Sequence, residues 1–178
     1  MLVLGICNPQ GEHDNYNGLY FKDTELKDIV SKNRLHGLPI RTEHGTGDVG
    51  KILSTYMRDD GALQCLFELD GIDLEHKIAQ GFVRDGVALE LSMGYTVDVK
   101  QTSGNTLRAG DKNTIEVSLV KKGARDGCHI LAFQDPNTTT RIRNSVCKQA
   151  DEADEPTQHP NANCVDPKDS ERFFEGFL

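Results

Sequence analysis

A period-two alternation of apolar and polar residues gives the clearest strand signal in the chain. In "LELSMGYTVDV", residues 89–99, apolar side chains at 89, 91, 93 and 95 alternate with polar or small ones. This spacing is typical of a half-buried β-strand, because successive side chains of a strand point to opposite faces. Ser92 falls on the polar side of this strand. It is therefore either a solvent-facing serine or a nucleophile that a rigid strand presents.

Two helices are predicted from apolar residues at helical spacing. The first has Thr24 as its N-cap and Gly37 as its stop. The second covers about 73–83, where Leu74, Ile78 and Phe82 are four residues apart.

The other strands are predicted from short apolar runs bounded by turn residues. They lie at 2–7, at three places within 38–71 that are separated by a glycine-rich turn and an "RDDG" hairpin, and at 113–120 and 129–133. A turn-rich segment, "KQTSGNTLRAGDKN", is predicted to separate the strand at 87–99 from the one at 113–120. About five to seven strands with two helices indicate a mixed, β-rich fold, a compact β-barrel with flanking helices.

The composition of the chain changes after Gln134. Net charge is −8, and residues 151–178 hold eight acidic and two basic side chains, so the body of the chain is nearly neutral. Polar, acidic segments with prolines bury too little apolar surface to fold. We therefore predict a folded domain at 1–134 and an acidic, largely disordered linker or tail at 135–178.

Charge and cysteine usage exclude several classes of function. The sequence has no basic stretch that would grip a nucleic-acid backbone, and no apolar run long enough to span a membrane. The N-terminal "MLVLGIC" is too short for a signal peptide. The five cysteines are far apart and form no CxxC pair, which predicts reduced thiols and no metal site. We expect no cofactor.

Three stretches together carry the residues of a hydrolase. His44 sits where a strand breaks into glycines, and it is either an idle turn histidine or a base. Glu116 in "TIEVSLV" can face solvent, pair with a cation or orient a catalytic base. With Ser92 they supply a nucleophile, a base and an orienting acid. The turn containing Ala124 and Arg125 adds backbone N–H groups and a guanidinium for an oxyanion.

The order of these motifs resembles the capsid-maturation serine proteases, which comprise herpesvirus assemblins and tailed-phage prohead proteases. The likeness extends loosely over about 2–130 and is strongest at 38–53, within "GLPIRTEHGTGDVGKILS", and at 113–128, which ends in "KKGARDGC". It implies that His44 is the general base and Ser92 the nucleophile. Assemblins have a second histidine where this chain has Glu116, whereas the phage branch has an acid there.

The same resemblance implies roles for the turn that follows. Ala124 replaces the first arginine of the assemblin turn, whose backbone N–H would contribute to the oxyanion hole. Arg125 matches the second arginine, which is expected to hold an oxyanion-stabilising water.

The resemblance further implies a serine endopeptidase that matures a viral capsid by cleaving the internal scaffold protein and itself. Such an enzyme would act inside the assembling procapsid, in the host nucleus if it is herpesvirus-like and in the cytoplasm if it is phage-like. Self-cleavage is expected after a small residue of the linker, Ala150 being preferred to Ala153. Because the chain is shorter than the herpesvirus catalytic domains, formation of a homodimer stays open.

Other classes of protein also fit parts of the sequence. The main alternative is a non-catalytic β-barrel capsid or scaffold-binding protein in which Ser92 and His44 are structural. An α/β-hydrolase is disfavoured because no G-x-S-x-G motif is present. A cysteine peptidase centred on Cys128 or Cys65 is weaker, because neither has a nearby activating helix start or a cation pattern beyond Arg125.

Overall fold

The computed structural model describes residues 1–11, 18–88, 90–101, 107–134 and 141–143. In chain order the elements are β1 (Leu2–Asn8), α1 (Asp23–Ser31), β2 (Pro39–Thr42), β3 (Gly50–Met57), β4 (Leu63–Leu69), α2 (Leu74–Arg84), β5 (Glu90–Gln101), β6 (Leu107–Val120), β7 (Ile130–Gln134) and β8 (Arg141–Arg143). This mixed, sheet-rich architecture with two helices confirms the predicted fold class. None of the described helices is both long and apolar enough to cross a membrane.

The eight described strands form one sheet in the order β5-β6-β2-β3-β4-β1-β7-β8. All neighbours are antiparallel except β2 and β6, which run parallel. The sheet curls so that the start of β5 returns to β1 and β7. Glu90 bridges to His129, and the side chain of Leu91 lies directly over Gly5. The curled sheet encloses one large core of aliphatic and aromatic side chains, with Phe21, Phe67 and Leu119 among the fully buried ones.

Both helices lie where they were predicted, but their ends and buried faces differ. The N-cap of α1 is Lys22 instead of Thr24, because the Glu25 side chain accepts a hydrogen bond from the Lys22 N–H at 2.8 Å. The helix ends at Ser31, ahead of the predicted stop at Gly37, and consecutive turns occupy positions 32–37.

The apolar spacing used to predict α2 does not mark its buried face. Leu74 is 73% exposed and Ile78 44% exposed, whereas Ala79 and Val83 are buried. Phe82 is partly buried against the core. The N-cap is Asp73, whose carboxylate accepts from the His76 N–H.

The turn predicted over 100–113 is too long, because β5 extends to Gln101 and β6 begins at Leu107; positions 102–106 lie outside the described residues. Val97 pairs with Lys112 and Gln101 with Leu107, so β5 and β6 form a long hairpin. Backbone groups can form this ladder whatever the side chains are, which is why a segment rich in glycine and polar residues pairs although its sequence pattern gave no strand signal.

The boundary predicted at residue 134 stays a prediction. Arg141–Arg143 pair with β7 as β8, which lies within the predicted tail. The remainder of 135–178, including the expected cleavage position Ala150, lies outside the described residues.

Gly50, the first residue of β3, is expected to be indispensable for the close approach of β3 to β4. A Cβ atom there would lie 2.0 Å from the carbonyl oxygen of Glu68, so Gly50→Ala must push two strands apart. We expect a loss of about 1–3 kcal/mol in the free energy of unfolding, measured by urea denaturation. Gly81→Ala is the control, because Gly81 lies in α2 and an added Cβ would make only an ordinary contact, 3.9 Å from Asp85 Oδ2. It should stabilise by roughly 0.5–1 kcal/mol. Equal stabilities for the two variants would contradict this account of Gly50.

Candidate active site

His44 lies in the turn that follows β2, in a backbone conformation that non-glycine residues rarely adopt. Glu43 and His44 have φ values of 49° and 57°. Such residues persist only where the surroundings hold them. Here the end of β6 does so: the Glu43 N–H donates to the Leu119 carbonyl at 3.0 Å, and the His44 N–H donates to Ser118 Oγ at 3.1 Å. The imidazole is thereby fixed beside β6 and β5.

Ser92 and Glu116 are brought to the imidazole by the pairing of β5 with β6. Ser92 lies opposite Ser118, and Gly94 lies opposite Glu116. His44 Nε2 is 3.0 Å from Ser92 Oγ, and His44 Nδ1 is 2.7 Å from Glu116 Oε1. The structure therefore brings the three residues singled out in the sequence into one hydrogen-bonded row.

The burial of the row is uneven. Ser92 is 5% exposed and Glu116 is 3% exposed, whereas the His44 side chain is 47% exposed. Leu91 and Met93, on the other face of β5, are buried as well. The half-buried strand predicted from alternation is thus buried on both faces around Ser92, and Glu116 contacts His44 instead of solvent.

This arrangement can activate a hydroxyl group. The Nε2 atom is within proton-transfer distance of Ser92 Oγ, and a carboxylate on Nδ1 holds the imidazole and stabilises its protonated form. Among the described residues no group of three or more His, Cys, Asp or Glu side chains could hold a metal ion.

The turn after β6 lies against the strand residues that precede Ser92. The Gly123 N–H donates to the Glu90 carboxylate, and the Leu91 N–H donates to the Cys128 carbonyl at 3.1 Å. A Cβ at Gly123 would be 2.9 Å from the Leu91 carbonyl oxygen, so only glycine allows this approach. Within the described part of the chain the Ala124 N–H has no hydrogen-bond partner.

Arg125 joins this turn to the segment before α1. It is 3% exposed, and its Nη2 donates to the Leu19 carbonyl at 3.1 Å and to the Tyr95 hydroxyl at 3.3 Å. The guanidinium carbon lies 5.2 Å from the centroid of the Phe21 ring and 5.7 Å from that of Tyr95. The side chain thus anchors the turn, and its expected part in holding an oxyanion water stays a prediction.

Sequence reasoning missed two residues that contact Glu116, namely Ser118 and Gly94. Ser118 Oγ is 2.6 Å from Glu116 Oε2, and Gly94 faces the carboxylate across the β5–β6 ladder. A signal for Ser118 was present, because it is a polar residue two positions beyond Glu116 in an otherwise apolar strand. Gly94 carried no signal of its own, since its importance depends on which residue lies opposite.

Comparisons with known proteins give matches among solved structures only. No family model matches the chain, and no curated protein matches it. The chain is similar to Kaposi's sarcoma-associated herpesvirus protease in complex with a hexapeptide phosphonate inhibitor. The sequence identity is 17% and the TM-score is 0.45. The match covers 75% of this chain and 65% of that protease chain. A second structure of that protease, with an allosteric inhibitor, gives 17% identity, a TM-score of 0.43, and coverage of 76% and 78%. The chain thus covers about two thirds of the length of the first of these two proteins.

Proposed function

We propose that this protein is a serine endopeptidase that matures a viral capsid by cleaving the internal scaffold protein and itself. The observation that carries the peptidase assignment is the row formed by Ser92, His44 and Glu116, with both imidazole nitrogens within 3.0 Å of their partners. A turn histidine without a catalytic role does not require a buried carboxylate at one ring nitrogen and a hydroxyl at the other.

In the proposed reaction His44 Nε2 removes the proton of Ser92 as Oγ attacks the carbonyl carbon of the scissile peptide bond. The carbonyl π electrons move to oxygen, and the resulting oxyanion accepts from the Ala124 N–H. The protonated His44 then gives its proton to the leaving amine, so that an acyl-enzyme on Ser92 remains. Water, activated by the same imidazole, hydrolyses this ester and restores the free hydroxyl.

Glu116 contributes through His44 and does not touch the substrate. Its Oε1 accepts the Nδ1 proton, which leaves Nε2 free to act as a base, and its negative charge stabilises the imidazolium. A carboxylate this well buried acts in low dielectric, where its interaction with a positive charge is stronger than in water.

The proposed substrate class rests on the sequence resemblance in 38–53 and 113–128 and on the acidic tail. The tail would lead to the scaffold, and the enzyme would act inside the assembling procapsid without nucleic acid or membrane as a partner. A non-catalytic capsid or scaffold-binding protein is the alternative; in such a protein the row would be structural, and its loss would change stability instead of a chemical activity.

The first test compares the three members of the row. Ser92→Ala and His44→Ala should each abolish reaction with a fluorophosphonate probe, which labels activated serines whatever the peptide specificity. Glu116→Gln should react with the probe on the order of 10²-fold faster than either of these variants, because loss of the orienting group costs less than loss of the nucleophile or the base. Thermal unfolding serves as the folding control. Labelling of Ser92→Ala within tenfold of the unaltered chain would make Ser92 the wrong nucleophile.

A second test separates serine from cysteine chemistry. Burial raises the pKa of the Cys128 thiol to about 12 and that of Cys7 well above its ordinary value. Both thiols are therefore protonated at neutral pH and are poor nucleophiles. Iodoacetamide at pH 7.5 (about one hour, native protein) should leave fluorophosphonate labelling unchanged and Cys128 unmodified by mass spectrometry. Inactivation in step with alkylation of Cys128 would favour the cysteine alternative.

A third test concerns self-processing in the predicted tail. A synthetic peptide spanning residues 145–156, "SVCKQADEADEP", should be cut after Ala150 by the unaltered protein and not by Ser92→Ala. Extended, unstructured segments are the form in which proteases accept their substrates. Mass spectrometry of the peptide and of the intact protein over time measures the cut. Fluorophosphonate labelling without any cleavage at Ala150 would keep the hydrolase and remove the tail as its substrate.

A further inference from the structure

Ser118 is fully buried and connects two parts of the candidate active site. It is 0% exposed, and its Oγ lies 3.1 Å from the His44 backbone nitrogen and 2.6 Å from Glu116 Oε2. One hydroxyl group thus touches both the backbone that carries the base and the carboxylate that orients it.

The direction of these hydrogen bonds follows from the chemistry of the groups. A backbone N–H can only donate, so Ser118 Oγ accepts from His44. The single Ser118 proton is then directed to Glu116 Oε2, since an ionised carboxylate only accepts. With Oε2 occupied, Oε1 is left to accept from His44 Nδ1. The imidazole is thereby fixed in the tautomer whose Nε2 is free to accept from Ser92.

Gly94 provides the space that this carboxylate position requires. A Cβ at Gly94 would lie 1.8 Å from Glu116 Oε1 and 2.7 Å from Cδ, so any other residue would displace the carboxylate. The oxygen in question is the one that contacts His44. Gly94 has no positive φ, so its small size is the property that matters here.

We propose that Ser118 and Gly94 are positioning residues for the reaction. Ser118 holds Oε2 of Glu116 and the backbone of His44, and Gly94 keeps open the place of Oε1. The inference rests on the proposed peptidase function for its kinetic consequences. The geometry it predicts at His44 can be measured without activity.

The kinetic test uses the rate of fluorophosphonate labelling of the full chain. Ser118→Ala should label roughly 10- to 100-fold more slowly, the range set by loss of a hydrogen bond to a charged group. Ser118→Thr, which keeps the hydroxyl, should recover most of the rate. Thr114→Val is the matched control, because Thr114 is buried on the same strand and its Oγ1 has no hydrogen-bond partner among the described residues.

A double-variant comparison distinguishes positioning from general destabilisation. If Ser118 acts through Glu116, Ser118→Ala should slow labelling far less in a Glu116→Gln background than alone. Equal factors in both backgrounds, or a Ser118→Ala rate within twofold of the unaltered chain, would overturn the proposal. Gly94→Ala should slow labelling as Ser118→Ala does, and it decides the matter if Ser118→Ala does not fold.

The imidazole proton gives a readout that does not need catalysis. In ¹⁵N-histidine-labelled protein, the His44 Nδ1 proton should be protected from exchange, and its signal is assigned by its loss in His44→Gln. Ser118→Ala and Gly94→Ala should broaden or abolish it, while Thr114→Val should not. If the unaltered chain never reacts with the probe, the peptidase proposal fails, and this signal alone then decides the positioning proposal. An unchanged signal in both variants overturns it.

Discussion

The buried carboxylate of Glu116 is the constraint on which the rest of the site depends. An ionised carboxylate removed from water is costly unless hydrogen bonds and a nearby positive or polarisable group compensate it. Glu116 is 3% exposed, and its two oxygens are taken up by His44 and Ser118. Each of these partners is in turn held by the same strand, so the acid, its supports and the base form one unit.

Strand β6 is the common element of that unit. Its central residues pair with β5 on one side and with β2 on the other, so it aligns Ser92 and the turn carrying His44 in a single register. A slip of one residue would turn each side chain of a strand to the opposite face. The bulge beyond Gly94, where Tyr95 pairs with Thr114, leaves Ile115 as the extra residue of β6.

The sequence predicted much of the fold because its signals were local. Glycine-rich turns, the "RDDG" hairpin and the apolar runs of β1, β4 and β7 fall where they were expected. The errors occur where long-range contacts decide. Leu74 and Ile78 have helical spacing but are exposed, and the outer half of the β5–β6 hairpin is held by backbone pairing in a segment rich in polar residues and glycine. Neither feature can be seen in the pattern of one segment.

The site was predicted to the extent that its chemistry is carried by unusual residue types in unusual places. A histidine among glycines and an acid in an apolar strand stand out, and the structure places both beside Ser92. Ser118 and Gly94 do not stand out, because serine and glycine are common and their roles exist only across a strand pair. Arg125 was expected from its position in the turn, yet its contacts with Leu19, Phe21 and Tyr95 depend on a segment distant in sequence.

The exposure of the three row residues differs in the way that the proposed hydrolysis requires. Ser92 and Glu116 are buried by the sheet, where fixed hydrogen bonds keep them from reorganising, whereas nearly half of the His44 side chain is open to solvent. In the proposed reaction His44 needs this opening, since it would have to reach a substrate, give a proton to a leaving group and later accept one from water. The acid needs the opposite, because a solvated carboxylate would rotate away from Nδ1. The left-handed turn at His44 allows both conditions to be met. It places a partly exposed imidazole against groups that the sheet keeps buried.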